Sequence, residues 1–187
     1  MLGDRVSHAA GRQERLFQEE DPLIIRRETP ADAPAIHEVT TAAFLQAAHS
    51  SGTEARIVDA LRDSGSLTLS LVAERDGKVV GHAAFSPIMI DGQEADWFGL
   101  GPVAVSPDVH GKGIGSALIR EGLSLLESRG ARGCVVLGEP GYYGRFGFTQ
   151  HPALKLENVP PEYFMALPFE ADVPVGTVTY HTAFDVK

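Results

Sequence analysis

Val103-Ala104-Val105-Ser106-Pro107-Asp108-Val109-His110-Gly111-Lys112-Gly113-Ile114-Gly115-Ser116-Ala117-Leu118 is the stretch on which the reading of this 187-residue chain turns. An apolar extended run is broken by Ser106-Pro107 and followed by three alternating glycines, after which a helical period begins. Gly111, Gly113 and Gly115 lie where a strand becomes a helix, so main-chain N–H groups converge on an anion with no side chain in the way. The helix dipole adds to that attraction. A tight connection needing unusual backbone angles would also use glycines here. Two phosphate motifs are excluded. Lys112 is followed by Gly113 and not by the Ser or Thr of a Walker loop. Gly111, Gly113 and Ser116 lack the third glycine of the dinucleotide fingerprint, and no βαβ unit precedes them.

Working outward, residues 114, 117, 118, 122, 125 and 126 are apolar or small and give a long amphipathic helix from Ile114 to Arg129, closed by Gly130. Cys134 to Leu137 then reads as a buried strand after a crossover helix, which predicts a parallel partnership with the strand ending at Val105. Upstream, Leu67 to Ala73, Val79 to Ile90 and Trp97 to Val105 are joined by Asp76-Gly77 and Asp91-Gly92 and form an antiparallel meander. Pro102 cannot donate to a ladder and predicts that the last of these strands is unpaired or bulged there.

Nearer the N-terminus, Leu23 to Arg27 reads as a first strand. A helix starts between Thr29 and Asp32, with Pro34 confined to its first turn and Ile36, Val39, Ala43 and Phe44 on its apolar face. A second helix opens at Ser51 and Glu54, buries Ile57, Val58 and Leu61, and ends at Gly65. After Gly141 to Phe148, a compact aromatic and glycine segment, a Pro-rich stretch over 152–168 leads to one alternating strand from Val175 to Phe184. The expected fold is α/β (α+β): a mixed, mostly antiparallel central sheet with helices on both faces and two terminal strands. Residues 1–21 read as a loosely ordered tail before a single domain over 22–187.

Sixteen Lys plus Arg against twenty-five Asp plus Glu give a formal charge of -9, with no basic run, which argues against nucleic acid as a partner. The acidity opposes long-range capture of an anion, so a phosphate site has to rely on local main-chain donors and weakly favours a cationic acceptor. Cys134 is the only cysteine, which excludes an internal disulfide. No spanning segment or leader is read and no His-x-x-x-His spacing is present, so a cytoplasmic address, no membrane and no metal are expected.

The stretch resembles the acetyl-CoA loop of the GNAT superfamily, Arg or Gln, two residues, Gly, one residue, Gly or Ala, with His110 in place of the first residue. Within the superfamily it is most similar to the YhbS-like predicted N-acetyltransferases, through Gly99 to Val105, Gly111 to Ile119, Val135 to Gly138, Tyr142 to Phe148 and Val178 to Phe184. The likeness spans roughly 23–187. It implies acetyl-CoA as co-substrate, its pyrophosphate on His110, Gly111, Lys112, Gly113, Ile114, Gly115 and Ser116. The pantetheine arm would lie along Val103, Ala104 and Val105. It also implies an unidentified primary amine as acceptor, attacking directly in a ternary complex, and Tyr143 as general acid, with Tyr142 the adjacent alternative. A non-catalytic acyl-CoA sensor on the same fold is the alternative reading. No general base is legible: Glu54, Glu94, Asp96 and Glu139 all fall near the expected cleft. Oligomeric state is equally open.

Overall fold

Two Asp-Gly pairs organise the sheet. Asp76 and Gly77 have φ of 52° and 69°, and Asp91 and Gly92 have 49° and 76°. Left-handed angles at both central residues of a two-residue hairpin match the strand twist. The computed structural model describes residues 22–187 apart from 46, 48, 49 and 171. The tail expected over 1–21 lies outside the described residues. In chain order the elements are β1 (Ile24–Arg27), α1 (Ala33–Phe44), α2 (Glu54–Asp63), β2 (Leu69–Arg75), β3 (Lys78–Ile90) and β4 (Gln93–Val105). Then come α3 (Ile114–Ser128), β5 (Gly133–Leu137), α4 (Pro140–Tyr143), β6 (Leu154–Leu156), β7 (Phe164–Pro168) and β8 (Gly176–Thr179).

Among the described residues the strands form one sheet in the order β1-β2-β3-β4-β5-β7, with β8 pairing β3 and β6 off that path. β5 runs parallel to β4, as a crossover through α3 requires, and the β6–β8 pair is also parallel; the other pairings are antiparallel. Alternation sends Leu71 and Phe85 to one face, where they meet Ile114, Leu118 and Leu123 of α3. Val72 and Ala84 go to the other face, under Ile36 of α1 and Val58 of α2. The central strands are therefore buried on both sides. At Gly122 a Cβ would lie 2.2 Å from the Phe85 ring, so this glycine sets how closely α3 seats on β3. Truncating Phe85 to Ala removes that filler at a cost of about 3–5 kcal/mol.

The start of α1 is tied down twice. Asp32 closes the predicted box by accepting from the Thr29 N–H at 2.7 Å, and it also takes the Arg26 guanidinium fork at 2.7 and 2.9 Å. Those bonds from Arg26 hold its carboxyl well below the usual range, against the opposing effect of burial. Below α2, Arg62 grips Glu28 at 2.9 and 3.0 Å, the Ser70 hydroxyl donates to Glu28, and Ser70 lies 2.7 Å from Nε2 of His82. His82 is wholly buried, which pushes its pKa down to about 4, so its imidazole is neutral at pH 7.

The C-terminal third differs from the expectation. Val175 to Phe184 is not one strand: β8 ends at Thr179, and a 3-10 turn, Thr182–Asp185, follows. β8 finds only Met89 and Ile90 of β3 and the short β6 as partners, and beyond it His181 accepts the Ala183 N–H at 3.1 Å to start the turn. The Pro-rich stretch also holds β6 and β7, giving three terminal strands instead of two. β7 is an apolar run, Phe164 to Leu167, whose flanking prolines hid a full antiparallel partner of β5.

Candidate active site

The site begins where β4 loses its neighbour. β4 pairs with β5 only from Trp97 to Leu100, whereas it continues to Val105. Opposite, the β3 register shifts from Phe85↔Leu100 to Ala83↔Val103, a bulge that takes in Gly101 and Pro102. Beyond the bulge the direction of the main-chain groups follows from one bond. Ser106 N–H donates to the Val80 carbonyl at 2.8 Å, so 80/106 is a hydrogen-bonded pair and the antiparallel alternation makes 82/104 the next. Val103 and Val105 then turn their N–H and C=O groups away from β3, toward the edge that β5 has left. Ala104, grouped with them from the resemblance, directs its main chain to His82 and buries its side chain at 2% exposure.

That open edge leads into the glycine turn. Gly111 and Gly113 have φ of 76° and 78°, angles that strain any side-chain-bearing residue. Gly113 caps α3, and the first intrahelical bond is Ala117 N–H to the Gly113 carbonyl at 3.0 Å. The N–H groups of Ile114, Gly115 and Ser116 precede it and have no partner in their own helix. They border a cavity of about 330 Å³ lined by Val105, His110, Gly111, Gly113, Ile114, Gly115, Ser116, Tyr142 and Arg145. Positively polarised donors at the end of a four-turn helix suit a doubly charged oxyanion such as a pyrophosphate. Lys112 lies in the turn and is exposed, as is His110 at the rim.

α4 places the two tyrosines differently. Its start uses the Glu139 carbonyl, which accepts from both Tyr142 and Tyr143 N–H at 3.0 Å. Tyr142 leans over the turn: a Cβ on Gly115 would meet its hydroxyl at 2.9 Å, and the Arg145 guanidinium stacks 4.4 Å from its ring centre. Tyr143 turns inward. Its ring lies so close over Gly138, just past β5, that a Cβ there would come within 2.3 Å, and it meets Phe148 edge-on. Burial, with a smaller contribution from Tyr142, pushes its phenol up to about 12, so it keeps its proton.

The Acetyltransferase (GNAT) family model matches residues 33–148, which takes in α1, the meander, the glycine turn and both tyrosines. The chain belongs to the GNAT acetyltransferase family. It is 42% identical over 127 residues to the uncharacterized N-acetyltransferase YhbS of Escherichia coli K12, covering 67% of this chain and 73% of that protein. A GNAT acetyltransferase from Brucella melitensis, crystallised with acetyl-CoA, is 54% identical with a TM-score of 0.80 over 88% of this chain and 99% of its own. Escherichia coli YhbS crystallised with CoA is 36% identical with a TM-score of 0.82, covering 89% and 95%.

Against this GNAT frame the four acidic residues near the cleft separate. Burial raises the Glu54 carboxyl, but bonds from its own main chain, Ser51 and Ser50 outweigh that and hold it below the usual range; it serves the start of α2. Glu94 and Asp96 are exposed at the far end of β4, and Glu139 is exposed at the α4 cap. Arg145 is the cavity residue that sequence reasoning passed over, since a lone Arg among aromatics carries no spacing signal. Among the described residues no group of His, Cys, Asp and Glu could hold a metal ion, and no helix is long and apolar enough to cross a membrane.

Proposed function

We propose that this chain moves an acetyl group from acetyl-CoA to a primary amine by direct attack in a ternary complex. The observation behind the reading is the outward-turned β4 edge at Val103 and Val105 running into the unpaired N–H groups of Ile114, Gly115 and Ser116. Bound there, acetyl-CoA supplies an activated acyl group as a thioester; the two solved relatives bind acetyl-CoA and CoA. Residues 111–116 hold the pyrophosphate, with Arg145 as a cation beside it. The N–H groups of Val103 and Val105 receive the pantetheine arm, and the amide at Val103 offsets charge growing on the acyl oxygen. Tyr143 holds a proton for the departing sulfur: an ordinary thiol ionises near a pKa of about 8.5, and a phenol raised further is still a donor at neutral pH.

Among the described residues between and around the ends of α1 and α2, Thr41, Ser50, Ser51 and Glu54 line a second cavity of about 390 Å³ beside Phe44 and Leu45. It suits an amine with an apolar body, in keeping with the acidic chain. A thiol-release screen of acetyl-CoA against small amines, amino acids, aminoglycosides and lysine peptides tests the proposal. Thiol release that requires an amine supports it. Tight acetyl-CoA binding with no release for any acceptor favours the sensor instead, and no binding contradicts both.

A further inference from the structure

Tyr180 is the side chain that neither the fold nor the cofactor turn accounts for. It leaves the end of β8 and lays its ring on Gly99, where a Cβ would come within 2.5 Å of it. Gly99 sits in the last paired segment of β4, opposite Val135 of β5 and one residue before the strands part. Phe184 packs on the ring from behind at 4.9 Å between centres. The hydroxyl of Tyr180 is sealed from solvent and has no hydrogen-bond partner. Ser86, the register partner of Gly99 on β3, is also wholly buried with an unpartnered hydroxyl.

A buried hydroxyl without a partner costs stability unless something arrives to satisfy it. Tyr180 belongs with the apolar group around Ile88 and Val135, on one side of the sheet, and Tyr143 with the α3 group on the other. Through its seat on Gly99, one residue before the strands part, Tyr180 lies at the β4–β5 divergence on the face opposite Tyr143. Burial raises its pKa, so what it offers is a proton-bearing donor, whose complement is an oxygen acceptor.

We propose that the Tyr180 hydroxyl is a hydrogen-bond donor to the carbonyl oxygen of the acyl thioester, so that the site distinguishes an acyl-CoA from a thioether or free thiol. This rests on the acetyl-CoA reading above. It makes Tyr180 an acyl-recognition residue, with the absent side chain at Gly99 providing its seat.

The test compares acetyl-CoA with S-ethyl-CoA, which has the same carbon count and lacks the carbonyl oxygen, by calorimetric titration into wild type and Tyr180→Phe. The wild type is expected to prefer acetyl-CoA by about five- to tenfold, and Tyr180→Phe to lose most of that preference, the Val103 amide remaining, while its affinity for S-ethyl-CoA is unchanged. The ligand-free variant should melt at or above the wild-type temperature, because an unpartnered buried hydroxyl has been removed and the ring kept. An undiminished preference in the variant overturns the inference. So does a lower melting temperature with both affinities reduced alike, which marks Tyr180 as a packing residue. If the wild type binds S-ethyl-CoA and acetyl-CoA equally well, the inference fails while the cofactor site stands; if it binds neither, the cofactor site fails with it.

Discussion

The main-chain edge of β4 with the start of α3, and the two phenols set around the β4–β5 divergence, hold their polar groups in opposite ways. On the α3 side the donors are main-chain amides, fixed by strand alternation and by a helix start. The phenols are Tyr143, at the end of α4 on that same side, and Tyr180 on the opposite side, and their positions depend on ring packing over Gly138 and Gly99. Main-chain donors tolerate side-chain substitution and fail when the backbone angle changes; phenols fail on loss of a single oxygen. Binding is thus assigned mainly to the backbone and chemistry to side chains, and mutations should separate the two.

The largest expected effect is on turnover. General acid catalysis contributes roughly 10² to 10⁴ in rate, so Tyr143→Phe should lower kcat by that order with acetyl-CoA affinity nearly intact. Tyr142→Phe should do much less to kcat. Reversed effects would make Tyr142 the acid, and two unchanged rates would reduce both to packing residues.

A proline pair sharpens the main-chain half. Ala104→Pro removes a ladder N–H directed at β3 in the middle of the sheet and should lower Tm by many degrees. Val105→Pro removes an outward N–H and should leave Tm much closer to wild type while weakening acetyl-CoA binding. Equal melting losses would show that the alternation inferred from the Ser106–Val80 bond does not hold.

The smallest effect lies outside the site and calibrates how far polar groups tolerate burial. An unfolded histidine takes up a proton below a pH of about 6.5, whereas folded His82 does so only near pH 4. The unfolded state binds more protons in between, so His82 stabilises the fold fully above that range and the contribution is lost as pH falls through it. Between pH 6.5 and 4.5 the loss is roughly 2–3 kcal/mol. Denaturant titrations of wild type should show it and those of His82→Gln should not; a similar slope in both would place the pH dependence elsewhere.

How much of this was legible in the sequence follows the same division. The meander, the α3 crossover and the parallel β5 were readable because Asp-Gly turns, period-two alternation and a glycine-capped helix are local signals. Pro102 announced the bulge in β4 through a missing donor. β7 and the turn after β8 were not readable, because Phe164 to Leu167 is too short to outweigh its flanking prolines and strand alternation over Val178 and Tyr180 does not reveal where partners end. In the site, the glycine turn stood out at once, but the different orientations of Tyr142 and Tyr143 depend on Gly115 and Gly138 far apart in the chain. Tyr180 was invisible for the same reason: its meaning lies in a glycine 81 positions earlier.

The central claim is that the amides at the start of α3 hold the cofactor's pyrophosphate, and Gly113→Val addresses it most directly. No atom outside its own chain neighbours lies within 4 Å of a Cβ placed there, so the Cβ itself meets no obstacle, but φ of 78° forces the turn to rearrange. Calorimetric titration of CoA, alongside circular dichroism to show that the variant is folded, should find binding in the wild type and its loss in Gly113→Val. Unchanged CoA affinity in a folded Gly113→Val protein would contradict the account.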